Sequence, residues 1–93
     1  MNIGQFVIVR TYSAGVHFGT FSSQDGKQVT LQDAGRIWFW KGANTLHEIA
    51  LRGVSKGSKV SETVPEIVLT EAIEVIVGSD ASKECLTSIG WEK

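Results

Sequence analysis

Cysteine and proline each occur only once in this chain, as Cys85 and Pro65. A single thiol excludes an intrachain disulfide and leaves no cysteine cage for zinc, so the expected setting is a reducing, cytoplasmic compartment. The only two histidines, His17 and His47, lie too far apart in sequence to form a local metal-binding pair. No stretch approaches the roughly 20 apolar residues of a membrane span. The opening residues lack the charged and apolar segments of a signal peptide, and the chain is expected to stay where it is made. Neither sign of charge prevails, with nine Lys and Arg against ten Asp and Glu. General nucleic-acid binding requires several phosphates to be neutralised together, and no basic block exists to do so. Lys41, Arg52, Lys56 and Lys59 leave room only for a local patch.

Catalytic templates are missing too. The chain has no Gly-x-Ser-x-Gly elbow, phosphate loop or dinucleotide fingerprint. No nucleophile stands beside a base. Cys85, flanked by Leu86 and Ile89, reads as a half-buried structural thiol, and Glu71 and Glu74 read as a solvated face. A non-enzymatic protein without metal or cofactor is the expectation. Residues 1–93 make one domain, which buries roughly 60–65% of its unfolded surface. That thin margin favours homo-oligomerisation.

What is present is β-rich. Phe6-Val7-Ile8-Val9 is a dense strand signal. Ser13-Ala14-Gly15 offers a reversal, and from Val16 the chain alternates Val16 and Phe18 against His17 and Phe21. Gly19 predicts a bend in this second strand. Asp25-Gly26 predicts a second hairpin leading into Gln28–Gln32, and Asp33-Ala34-Gly35 reads as a further break. Arg36–Trp40 is strand, with Ile37 and Phe39 on one face and Trp38 and Trp40 on the other. The face left out of the core needs a helix, ligand or partner to cover it. Asn44 predicts the N-cap of a helix reaching Arg52 and stopped by Gly53. A strand through Leu46–Leu51 is the competing reading, but the Leu46, Ile49, Ala50 spacing favours helix. Ser55–Ser61 reads as a mobile linker. Glu66–Val77 is strand with a bend between Leu69 and Ile73, and Ser79-Asp80 caps a helix from Ala81 to about Ser88. Leu86 and Ile89 are its expected anchors, and Trp91 is expected to pack.

Polar and aromatic groups gather in two places. The first hairpin carries Arg10, Tyr12, Ser13 and His17; the indole segment carries Trp38 and Trp40, followed by Asn44 and Thr45. Each has two readings. Arg10 closes a salt bridge to Asp33 or Glu48, or grips a phosphate with its forked donors. His17 is solvent-facing or hydrogen-bonded, or contacts a ligand. Trp38 and Trp40 fill the core or stack on a planar heterocycle. Asn44 and Thr45 cap the helix, or offer its free N–H groups to an anion.

The stretch Arg10-Thr11-Tyr12-Ser13-Ala14-Gly15-Val16-His17-Phe18-Gly19, the run from Asp33-Ala34 through Trp38-Phe39-Trp40 to Arg52-Gly53, and Pro65–Glu74 together resemble a family of small bacteriophage proteins of unknown function. The likeness spans most of the chain and implies a phage product in an infected host's cytoplasm. A weaker likeness associates it with viral sponge proteins, small oligomers that sequester the cyclic nucleotides of bacterial immunity. No sponge motif maps onto it residue by residue, so the site residues rest on the pocket argument alone.

The expected fold is a small α+β domain. Its antiparallel sheet is strongly bent, with an SH3 or Sm-like barrel as the closed form, and carries a short central and a short C-terminal helix. The expected function is sequestration of a nucleotide-type signal by Arg10, Tyr12, Ser13, His17, Trp38, Trp40, Asn44 and Thr45. The rival readings are an Sm-like RNA-binding ring and a protein-interaction or virion-associated module.

Overall fold

The computed structural model describes residues 2–88. Six strands and two helices follow in the order β1 (Phe6–Thr11), β2 (Val16–Asp25), β3 (Gln28–Phe39), α1 (Leu46–Arg52), β4 (Lys59–Val60), β5 (Val64–Leu69), β6 (Ala72–Val77) and α2 (Asp80–Ser88). All pairings are antiparallel, in the order β4-β3-β2-β1-β6, with β5 also on β3. Only Thr70 and Glu71 separate β5 from β6, yet these strands join opposite margins of the sheet. The sheet is therefore bent but open.

β1 is apolar on both faces because it is covered on both. Phe6 and Ile8 join Val16, Phe18, Ile37 and Val60 beneath the helices, with Ile49, Ala50 and Leu86 packed on them. Val7 and Val9 enter a second cluster with Phe21, Val29, Leu31, Ala34 and Leu69. The Phe6 and Phe18 rings lie 5.9 Å apart and tilted, a pairing worth roughly 0.5–1.5 kcal/mol beyond area burial. Ser82, fully buried in α2, donates to the Ile49 carbonyl at 2.6 Å and ties the two helices together.

Several details depart from the sequence reading. Asp33-Ala34-Gly35 does not end a strand, and β3 runs through it. Asp33 takes φ 49°, a left-handed conformation that Asp tolerates better than most residues, and so bends the strand without breaking it. Gly19 lies opposite this bend, where the β2–β3 register shifts between Phe18 and Thr20. The helix cap is Thr45 and not Asn44. Its hydroxyl accepts from the Glu48 N–H at 3.3 Å, while the Glu48 carboxylate accepts from the Asn44 N–H at 2.8 Å. The two form a variant of the reciprocal capping box.

The 55–61 segment is pinned rather than loose. Buried Ser58 accepts from the Lys41 N–H at 2.9 Å and donates to the Ser55 carbonyl at 2.7 Å, and Lys59–Val60 pairs with β3. Near Phe39 the β3–β4 register shifts, so Trp40 and not Phe39 joins Ile37 on the helix-covered cluster. Ser79 caps α2 by accepting from the Ser82 N–H at 3.1 Å, and Leu86 anchors that helix. Ile89 and Trp91 lie outside the described residues.

Candidate functional site

Strand register builds the best-furnished recess. On β1, Arg10 lies between Val16 of β2 and Glu74 of β6. The same face carries the helix-covered cluster, which is incompletely roofed at this end. Trp40 and the 44–47 segment entering α1 form the opposite wall. The resulting cavity of about 470 Å³ is lined by Arg10, Val16, Trp40, Asn44, Thr45, Leu46, His47 and Glu74. Val16 and Leu46 supply an apolar floor, Trp40 a half-buried indole, and Arg10 and Glu74 opposite charges.

The Arg10 salt bridge goes to Glu74, at 3.4 Å, and not to Asp33 or Glu48; Glu48 instead approaches Arg52 at 3.8 Å. Both partners of the Arg10–Glu74 pair are substantially exposed, so the pair contributes about 0–1 kcal/mol and its guanidinium can be redirected at little cost. The Asn44 backbone N–H is occupied by the Glu48 carboxylate, which removes the free anion donor expected there. The Asn44 side chain and the His47 ring remain on the rim.

A domain of unknown function (DUF6948) matches residues 4–86. The chain belongs to that family. No curated protein and no solved structure matches it. The matched span contains every residue of the recess.

The structure thus brings Arg10, Trp40, Asn44 and Thr45 together and places the other four candidates elsewhere. Tyr12 is exposed beside Lys27 and Ile73. Ser13 donates to the Glu71 carboxylate at 2.8 Å on a different rim. Trp38 is 48% exposed next to Ser61 and Val64, with the Lys59 ammonium 5.1 Å from its ring centroid. His17 is buried and not solvent-facing; its Nε2 lies 3.0 Å from the Ala14 carbonyl. Burial holds its pKa below the ordinary value of 6.5, and the nearby Arg36 charge lowers it further, against the raising effect of the Ala14 contact.

His47, Glu74, Val16 and Leu46 were not anticipated as site residues. In the sequence Val16 reads only as part of one strand face and Leu46 as part of the helical spacing. Nothing local marks Glu74, whose contact with Arg10 spans 64 positions. His47 carried a weak signal, since a helix start at 45–46 leaves residue 47 near the cap. Among the described residues, no three His, Cys, Asp or Glu side chains group to hold a metal, and no helix is long and apolar enough to cross a membrane.

Proposed function

We propose that the recess holds a small, planar, phosphate-bearing molecule of nucleotide type, and that the protein acts by sequestering it. The observation that carries this reading is the placement of Arg10 across an apolar floor from Trp40, with Asn44 and His47 on the rim. Arg10 grips the phosphate bidentately. Trp40 offers an aromatic surface for the base, a contact worth roughly 1–3 kcal/mol. The Asn44 side-chain carboxamide and the His47 ring hydrogen-bond the guest's polar edge. Glu74 competes for the guanidinium, so phosphate binding requires Arg10 to turn from one anion to another. Sequestration needs no nucleophile, which suits this inventory, and accords with the likeness to phage sponges.

Isothermal titration against mononucleotides, cyclic dinucleotides and cyclic ADP-ribose isomers tests the reading. Arg10→Ala is expected to abolish the heat of any ligand found, and Glu74→Gln to tighten its binding. Silence across the panel, or a ligand indifferent to Arg10→Ala, overturns it.

One observation favours a second reading. Trp38 and Phe39 are exposed on neighbouring positions, each with a lysine ammonium over its ring, Lys59 and Lys41 respectively. Stacking rings beside cations suit single-stranded RNA. Binding of an oligonucleotide that weakens with salt and is lost in Trp38→Ala, with Arg10→Ala unaffected, would favour that surface over the recess.

A further inference from the structure

The open sheet leaves two margins, and they are defended differently. On one side, β5 carries Pro65, which has no N–H to offer an incoming strand, together with an exposed Glu66. On the other side, β6 pairs only with β1 among the described residues, and its sequence is Ala-Ile-Glu-Val-Ile-Val. Ile73 is 54% and Val77 47% exposed, while Val75 and Ile76 are half-buried. The one charge, Glu74, is turned toward Arg10. Natural edge strands are guarded by lysines, prolines or covering loops; this one has a single bulge at Ile73, where the register shifts between Arg10 and Thr11.

Internal contacts limit the unguarded length. The Ala72 N–H is taken by the Lys27 carbonyl at 2.9 Å, and beyond Val77, where β6 ends, the Ser79 N–H is taken by the Ala50 carbonyl of α1 at 2.8 Å. The available stretch is therefore Ile73–Val77, with Val75 at its midpoint. The geometry points to a second copy of this chain as the occupant, joined β6 to β6 in antiparallel fashion about a two-fold axis through Val75.

The register follows from charge and exposure. A two-fold axis normal to the sheet must pass through a residue, since paired residues point to the same face. Centred on Glu74, it would set two carboxylates directly opposite each other, which is destabilising. Centred on Ile76, it would place Ile73 against Ser79, whose N–H and hydroxyl are already given to the Ala50 and Leu51 carbonyls of α1. Centred on Val75, it places Val75 against itself and Glu74 against Ile76 of the second copy. Ile73 and Val77, the two most exposed apolar side chains of the strand, then meet across the seam. Each Glu74 keeps its own Arg10. The five residues Ile73–Val77 fall well short of the roughly 20–30 a side of a standard interface, so the dimer is weak and concentration-dependent.

Disulfide trapping in a Cys85→Ser background reads this register. Val75→Cys is expected to cross-link with itself, because residues facing each other across a two-fold have Cβ atoms about 4.5–5.5 Å apart. Val77→Cys alone is expected not to cross-link, because its copies lie roughly 13 Å apart along the strands. An equal mixture of Ile73→Cys and Val77→Cys is expected to cross-link beyond either protein alone. Sedimentation velocity supplies the second arm. Val77→Lys should shift the wild-type dimer to monomer while its circular dichroism and melting stay native-like. Leu51→Lys, on an exposed apolar residue of α1, should leave the dimer intact. A wild type that stays monomeric at every concentration, a Val77→Cys protein that cross-links as readily as Val75→Cys, or a dimer indifferent to Val77→Lys would overturn the proposal.

Discussion

Replacing Gly35 by alanine tests whether the bend of β3 is fastened by one aromatic ring. Gly35 pairs directly with Phe18 across the β2–β3 ladder, and the Phe18 ring lies over its Cα. A Cβ added at Gly35 would stand 2.5 Å from Phe18 Cζ and 2.7 Å from Cε2. Ordinary carbon contacts are about 3.5–4.0 Å, so the ring or the strand must retreat by roughly 1 Å. Phe18 is 1% exposed and held against Phe6, which leaves little room for it to retreat. Overpacking of this kind costs roughly 1–3 kcal/mol. For a domain of this size each kcal/mol moves Tm by about 4–8 °C, so a fall of roughly 5–20 °C is expected. Thermal and urea denaturation measure it. The mechanism is read from a double-mutant cycle: in a Phe18→Leu background the ring is gone, and Gly35→Ala should cost markedly less. A Gly35→Ala protein within about 0.5 kcal/mol of wild type would refute the reasoning, as would costs that simply add.

Two further outcomes follow from the fold. Asp33→Gly should be neutral or stabilising, whereas Asp33→Val should cost roughly 1–3 kcal/mol, because a β-branched residue resists φ 49°; equal urea midpoints for the two would contradict the left-handed bend at Asp33. Burial lowers the pKa of His17, so the unfolded chain takes up its proton first as pH falls. Its contribution to stability is whole above 6.5 and is lost as pH drops from there through the lowered folded value. Melting temperatures measured from neutral pH to about pH 5 should therefore fall less steeply in His17→Asn than in wild type; parallel profiles would contradict this.

The elements legible in the sequence were those with local causes. The apolar run Phe6–Val9, the Asp25-Gly26 turn and the 3.6-residue spacing of Leu46, Ile49 and Ala50 each announce their structure within a few positions. Asp33 misled because a polar-glycine cluster usually marks a turn, while here one left-handed residue is absorbed into a continuous ladder. The Thr45–Glu48 capping box was visible as Thr-x-x-Glu, but Asn44 stood one place earlier with an equally good capping side chain. Half of the candidate site residues share a recess, and the reason lies beyond any short window. Arg10 meets Glu74 through β1–β6 pairing, and Trp40 turns inward only because the register slips beside Phe39. Tyr12 and Ser13 sit two and three residues past Arg10, yet the turn at Gly15, where the Thr11 hydroxyl donates to the Gly15 carbonyl, carries them to the far rim.

The position of β1 between β2 and β6 also bears on how the chain is made. One neighbour of β1 follows immediately; the other, β6, brings Glu74 only 64 positions after Arg10. A nascent chain halted before Ala72 would present an unmated margin beside Val7 and Val9, an invitation to aberrant pairing between ribosome-bound or newly released chains. The sheet stays incomplete until β6 has been made, and pairing over so long a separation belongs among slow folders, on the scale of milliseconds to seconds.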